Sequence, residues 1–91
     1  MLPHDRLAII DTAVEEAKAA RRLLGEAAEA LTASYNRLDA AFADHDSSGR
    51  IHATGSLYVA SSATRRVRVS ADHALYCLGR FRDEVPAAGA T

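Results

Sequence analysis

Apolar residues recur at alternating steps of three and four through the first half of the chain. They stand at Leu7, Ile10, Val14, Ala17, Leu24, Ala28, Leu31, Tyr35, Leu38 and Phe42, with Arg21 as the one interruption. Only a turn of about 3.6 residues returns positions so spaced to one side, so this rhythm holds a single stripe of an α-helix against a partner. Between the seam positions stand Ala, Glu, Arg and Lys, which lose little on entering a helix. The spacing predicts a helix over about 4–44, with Pro3 admissible in the first turn and Asp5 favourable at the positive end. Gly25 costs it about 1 kcal/mol relative to Ala. The run from Asp5 to Asp44 would span roughly 60 Å at 1.5 Å per residue, too long to be enclosed by a globule of 9.7 kDa.

His45-Asp46-Ser47-Ser48-Gly49-Arg50 is dense in turn formers, because Asp and Ser compete for backbone hydrogen bonds and Gly accepts positive φ. The reversal is therefore expected over about 45–55. A second seam follows at Leu57, Ala60, Thr64, Val67, Ala71, Ala74, Leu78, Phe81 and Val85, predicting a helix over about 56–85. Ser56 after Gly55 is its expected N-cap, and Pro86 its stop, leaving a frayed tail over 86–91. A competing reading makes Leu57–Ala60 and Val67–Val69 a strand pair, since Val67 and Val69 alternate with Arg66 and Arg68. The helical reading of 57–70 is preferred because its seam runs on to Val85, while the alternation lasts four residues.

The expected fold is thus all-α: a long, antiparallel, coiled-coil-like helical hairpin occupying residues 1–91 as one domain. A two-helix seam buries little against the entropy of ordering the chain. Ile9, Ala13, Ala20, Leu23 and Ala27 widen the first stripe, and Tyr58, Val59, Leu75 and Tyr76 the second. Stripes of that width are carried by bundle helices, so the chain is expected to pair with itself as a homodimer, a four-helix bundle, or with another helical protein.

Hydrophobic residues make up 48% and charged residues 25%, the balance of a chain that folds. Eleven Lys and Arg against twelve Asp and Glu give a net charge of −1, which supplies no overall pull toward nucleic acid or an anionic membrane. Residues 1–44 hold five basic and eight acidic side chains, a balance of −3, and the remainder six and four, a balance of +2. The halves attract each other modestly. One cysteine makes no internal disulfide, and no 18-residue apolar run or basic-apolar leader is present, so a cytoplasmic protein without a membrane span is expected, non-classical secretion aside.

Few residues invite chemistry. Asp44-His45-Asp46-Ser47-Ser48-Gly49-Arg50-Ile51 resembles the first eight positions of an EF-hand calcium loop, with oxygen ligands at one, three and five and Gly at six. Position twelve, which should be a bidentate Glu, is Gly55, so a polar turn closing a hairpin is the preferred reading. His45, His52 and His73 are read as polar surface residues, not zinc ligands. Cys77 shares a helix face with His73 four residues earlier and is read as a half-buried structural thiol. Arg65, Arg66 and Arg68 form the one basic cluster. Arg21, on the seam, is expected opposite Gly79 if the turn centres near residue 50, where it would fix register.

An Ala-rich chain of two long antiparallel helices around a Gly-containing turn resembles the WXG-type small proteins of bacterial type VII secretion. Ser47-Ser48-Gly49 stands where that family has Trp-x-Gly, and Tyr76 is followed four residues later by Arg80 where its export motif has an acid. The resemblance implies a bacterial helical-hairpin dimer acting as a secreted substrate or its partner. The preferred function is a non-catalytic interaction module that takes no cofactor and assembles through Leu24, Leu31, Leu38, Phe42, Val67, Leu78 and Phe81 as apolar knobs. The alternatives are a protein responsive to divalent cations through Asp44, Asp46 and Ser48, and a nucleic-acid adaptor using the arginine cluster.

Overall fold

The computed structural model describes residues 3–85, with side chains from residue 5 onward. Two helices account for nearly all of it, α1 over Pro3–Ala41 and α2 over Ser48–Glu84, and they form a hairpin. Residues 57–70 are helical throughout, so the strand pair considered for them does not form. The tail expected over 86–91 and its stop at Pro86 lie outside the described residues.

The reversal is shorter than the expected 45–55. Helix α1 ends with Phe42 N–H on the Leu38 carbonyl at 3.0 Å, and His45 N–H donates to the Phe42 carbonyl at 2.9 Å to close the turn. Ser47 then caps α2: its Oγ accepts from Arg50 N–H at 3.2 Å, and its carbonyl takes the first helical bond, from Ile51 N–H, at 3.1 Å. A serine hydroxyl three residues before an orphan N–H is the standard N-cap arrangement. Ser47 precedes Ser56 along the chain, so α2 starts eight residues earlier than expected and Gly55-Ser56 lies inside it.

The chain divides into two compact units, residues 1–22 with 69–91, and residues 23–68. In the first, Arg21 Nη1 pairs with Asp72 Oδ1 at 3.3 Å and Arg82 pairs with Asp11, so ten residues forward along α1 match ten backward along α2. In the second, a Cβ at Gly25 would meet Arg68 Nη1 at 3.4 Å, Thr32 Oγ1 lies 2.8 Å from Ser61 Oγ, and the Tyr35 and Tyr58 rings are 6.1 Å apart. Both units hold antiparallel pairs. Because α2 begins early, the register is shifted from the expected one, and Arg21 meets Asp72 instead of facing Gly79.

The seam of α1 is the one read from the sequence: Leu7, Ile10, Val14, Ala17, Leu24, Ala28, Leu31, Tyr35 and Leu38 are buried or half-buried, while Arg21 and Phe42 are exposed. The seam of α2 differs at Val67, Ala74 and Phe81, which are exposed, whereas Ala60 is half-buried beside the buried Ser61. Leu57, Ala60, Thr64, Ala71, Leu78 and Val85 are half-buried as expected, but the cross-helix contacts between them come from Ser61, Arg68 and Arg82, with Leu75 half-buried, in place of Val67, Ala74 and Phe81. Apolarity alone selects the latter set. Polar contacts decide otherwise, because Ser61 bonds Thr32, Arg68 lies over Gly25 and Arg82 reaches Asp11.

Candidate interaction surface

Little of either seam is closed off from solvent. Among the described residues only Ile10 at 7% exposure, Ala28 at 5%, Ser61 at 3% and the side-chain-less Gly25 are buried, and no side chain is fully enclosed. A packed domain encloses far more than this. Leu24, Leu31, Leu38 and Leu78, four of the expected knobs, are half-buried between the helices, whereas Phe42, Val67 and Phe81 are exposed.

The two flanks of the hairpin differ in chemistry. On α1, the residues just after seam positions include Asp11, Lys18, Gly25, Thr32 and Asp39, and this flank carries cross-helix polar contacts. Arg50 Nη2 pairs with Asp39 Oδ1 at 2.9 Å, leaving its buried Nε without a partner, and Arg65 Nη2 donates to Thr32 Oγ1 at 2.6 Å. The arginine cluster is therefore turned in part toward α1 within its own unit, through Arg65 and Arg68. In the other unit Arg82 donates to both Asp11 oxygens, a bond that holds the Asp11 carboxyl below its ordinary value and raises Arg82.

The residues just before seam positions read quite differently. In the unit of residues 1–22 and 69–91 they are Ile9, Ala13 and Ala20 on α1, with Arg6 and Glu16 among them, and Ala74, Cys77 and Phe81 on α2, with Ser70 and Glu84 among them. In the unit of residues 23–68 they are Leu23, Ala27, Ala30 and Ala41, with Ser34 and Arg37 among them, and Ala60, Ala63 and Val67, with Ser56 before them. Both helices are right-handed and run in opposite directions, so within each unit these two lines fall on the same side of the pair. Leu23 is 56% exposed, Val67 52% and Phe81 53%, so each unit shows water a mostly apolar stripe of small and large residues on the side away from its ion pairs.

No protein family, curated protein or solved structure matches the chain. The surface must be read from its own residues.

Other candidates are less organised. Asp44 and Asp46 are exposed in the turn, and Ser48 to Ile51 form the first turn of α2, so the twelve-residue loop that the EF-hand pattern calls for is not formed. Among the described residues no three His, Cys, Asp or Glu side chains stand together to hold a metal ion. Cys77 is exposed, not half-buried, with Sγ 3.5 Å from His73 Nε2. His73 stacks on Tyr76 with centroids 6.4 Å apart, and Arg80 lies 6.0 Å from the same ring, so these four form a surface cluster along one helix. The concavity lined by Ile51, Gly55, Val59 and Ala60 runs along α2 alone, while that lined by Thr32, Tyr35, Tyr58 and Ser61 lies between the two helices of the 23–68 unit; both are open at the surface. Among the described residues no helix is long and apolar enough to cross a membrane.

The polar residues that set the register escaped the sequence reading. Asp11 and Arg82 are opposite charges at nearly mirrored distances from the Ser47 cap, whereas Asp39 and Arg50 are an opposite pair close to the turn and not mirrored about it. That mirror symmetry was available in the sequence, but only to a reading that placed the turn at Ser47.

Proposed function

We propose that the chain is a non-catalytic assembly module that self-associates as a homodimer, bringing four helices into one bundle. The observation that carries this is the near absence of enclosed apolar surface among the described residues. Ile9, Leu23, Phe42, Val67 and Phe81 are among the large hydrophobic residues left more than two-fifths exposed. Burial of apolar area is the main favourable term in folding, and a hairpin that encloses so little gains it by covering those residues with another chain.

The helical stripes support this reading over a catalytic one. Acid–base or nucleophilic chemistry needs a side chain held in a water-excluding pocket beside a second reacting group, and the exposed His73–Cys77 pair has open surface around it. Light scattering on a sizing column across a dilution series tests the proposal. The expected mass at micromolar concentration is twice that of the chain, falling toward 9.7 kDa on dilution. A 9.7 kDa species at every concentration, with helicity intact, would overturn it.

A further inference from the structure

We infer that the second copy covers the apolar stripe that precedes the seam positions, with α1 of one copy against α2 of the other and both turns at the same end of the bundle. This rests on the self-association proposed above and adds the face and the orientation.

Exposed apolar side chains are the first argument for a second copy. On these stripes Ile9, Leu23, Val67 and Phe81 are 55%, 56%, 52% and 53% exposed, and covering such side chains is what an interface between identical chains gains.

Side-chain size is the second. If the twofold axis runs parallel to the helices, each residue of α1 lies level with the same α2 residue in the partner as in its own hairpin. The cross-helix contacts then fix every level without a free parameter. Phe81 of the second copy comes level with Ala13, close to the observed level of Asp11 with Arg82. Val67 of the second copy comes level with Ala27, close to that of Gly25 with Arg68. Large residues thus face small ones, which is how helix surfaces interdigitate.

Charge is the third. The half of the chain containing α1 carries −3 and the half containing α2 carries +2, so an axis parallel to the helices places opposite charges beside one another throughout. An axis perpendicular to them would stack α1 on α1, like on like. The parallel axis brings Arg6 near Glu84 of the second copy, both on these stripes, and Glu16 near Arg80 of the second copy, which adjoins the stripe residue Phe81. All four side chains are exposed in the single chain.

Mass and spin-label distance together test this. Val67→Glu and Phe81→Glu are expected to shift the dimer to monomer at least tenfold in concentration. Val69→Glu, on the far side of α2 and 67% exposed, should leave the mass unchanged. Glu16→Arg should weaken the dimer, and Glu16→Arg with Arg80→Glu should restore it, a rescue that loss of folding cannot mimic. In Cys77→Ser with Asp46→Cys, spin labels at the two turns should lie within two to three helix diameters of about 10 Å. Labels a helix length apart, on the order of 55 Å for the 37 residues of α2, would overturn the orientation. A dimer that survives both glutamate substitutions would overturn the face while leaving self-association standing, and a monomeric parent chain would overturn both.

Discussion

Asp11 and Arg82 tie the first unit together, and their bond is the clearest electrostatic feature of the chain. Both groups are half-exposed, so the pair orients the helices more than it stabilises them. Its signature is in pH. The Asp11 carboxyl is lowered chiefly by the hydrogen bond from Arg82, against an opposing effect of burial, with the Arg82 charge lowering it a little further. A carboxyl lowered in the folded state contributes stability that is present above its unfolded value of about 4 and is lost as pH falls through its folded value. Asp11→Asn is therefore expected to lower the melting temperature at neutral pH and to leave a smaller decline below about pH 4; an unchanged acid decline would remove the pair from the account. Arg21, also on the seam, pairs with Asp72 at 3.3 Å. Its polar character was visible in the sequence and its partner was not, because the partner depends on where the turn lies.

At the scale of the helices, α1 was legible almost position by position and α2 only in part. A seam of Leu, Ile, Val and Ala against polar neighbours leaves α1 one orientation. Around α2 apolar residues are spread on every side, including Val59, Val67, Val69, Tyr76 and Phe81, so hydrophobic spacing fits two orientations one residue apart. Ser61 and Arg68 select between them, the first by bonding Thr32 and the second by filling the space over Gly25. The same ambiguity set the knobs: Leu78 belongs to both stripes and lies between the helices, whereas Val67 and Phe81 belong to the exposed stripe only. The start of α2 was misplaced because Ser47 and Ser56 are both followed by helix formers, and only Ser47 has its hydroxyl on an orphan N–H. Ser47→Ala should accordingly cost about 1 kcal/mol in thermal or urea unfolding, while Ser56→Ala, inside the helix, should cost little or stabilise slightly. The reverse order would return the cap to Ser56.

For the molecule as a whole, one hairpin must hold two long helices with a core of few enclosed side chains, Ile10 and Ala28 being the only buried apolar ones among the described residues. Backbone ordering costs about 1–2 kcal/mol per residue, and such a seam offsets only part of it. On this account stability is supplied jointly by the intrachain seam and by a second copy on the opposite flank, and the chain is incomplete alone. A protein stabilised by its own association must melt at a temperature that rises with concentration, by mass action. The decisive measurement is the helical melting curve by circular dichroism over a hundredfold range of protein concentration. The account predicts a melting temperature that climbs steadily across that range; a cooperative transition at one temperature throughout would contradict it and make the hairpin a complete fold by itself.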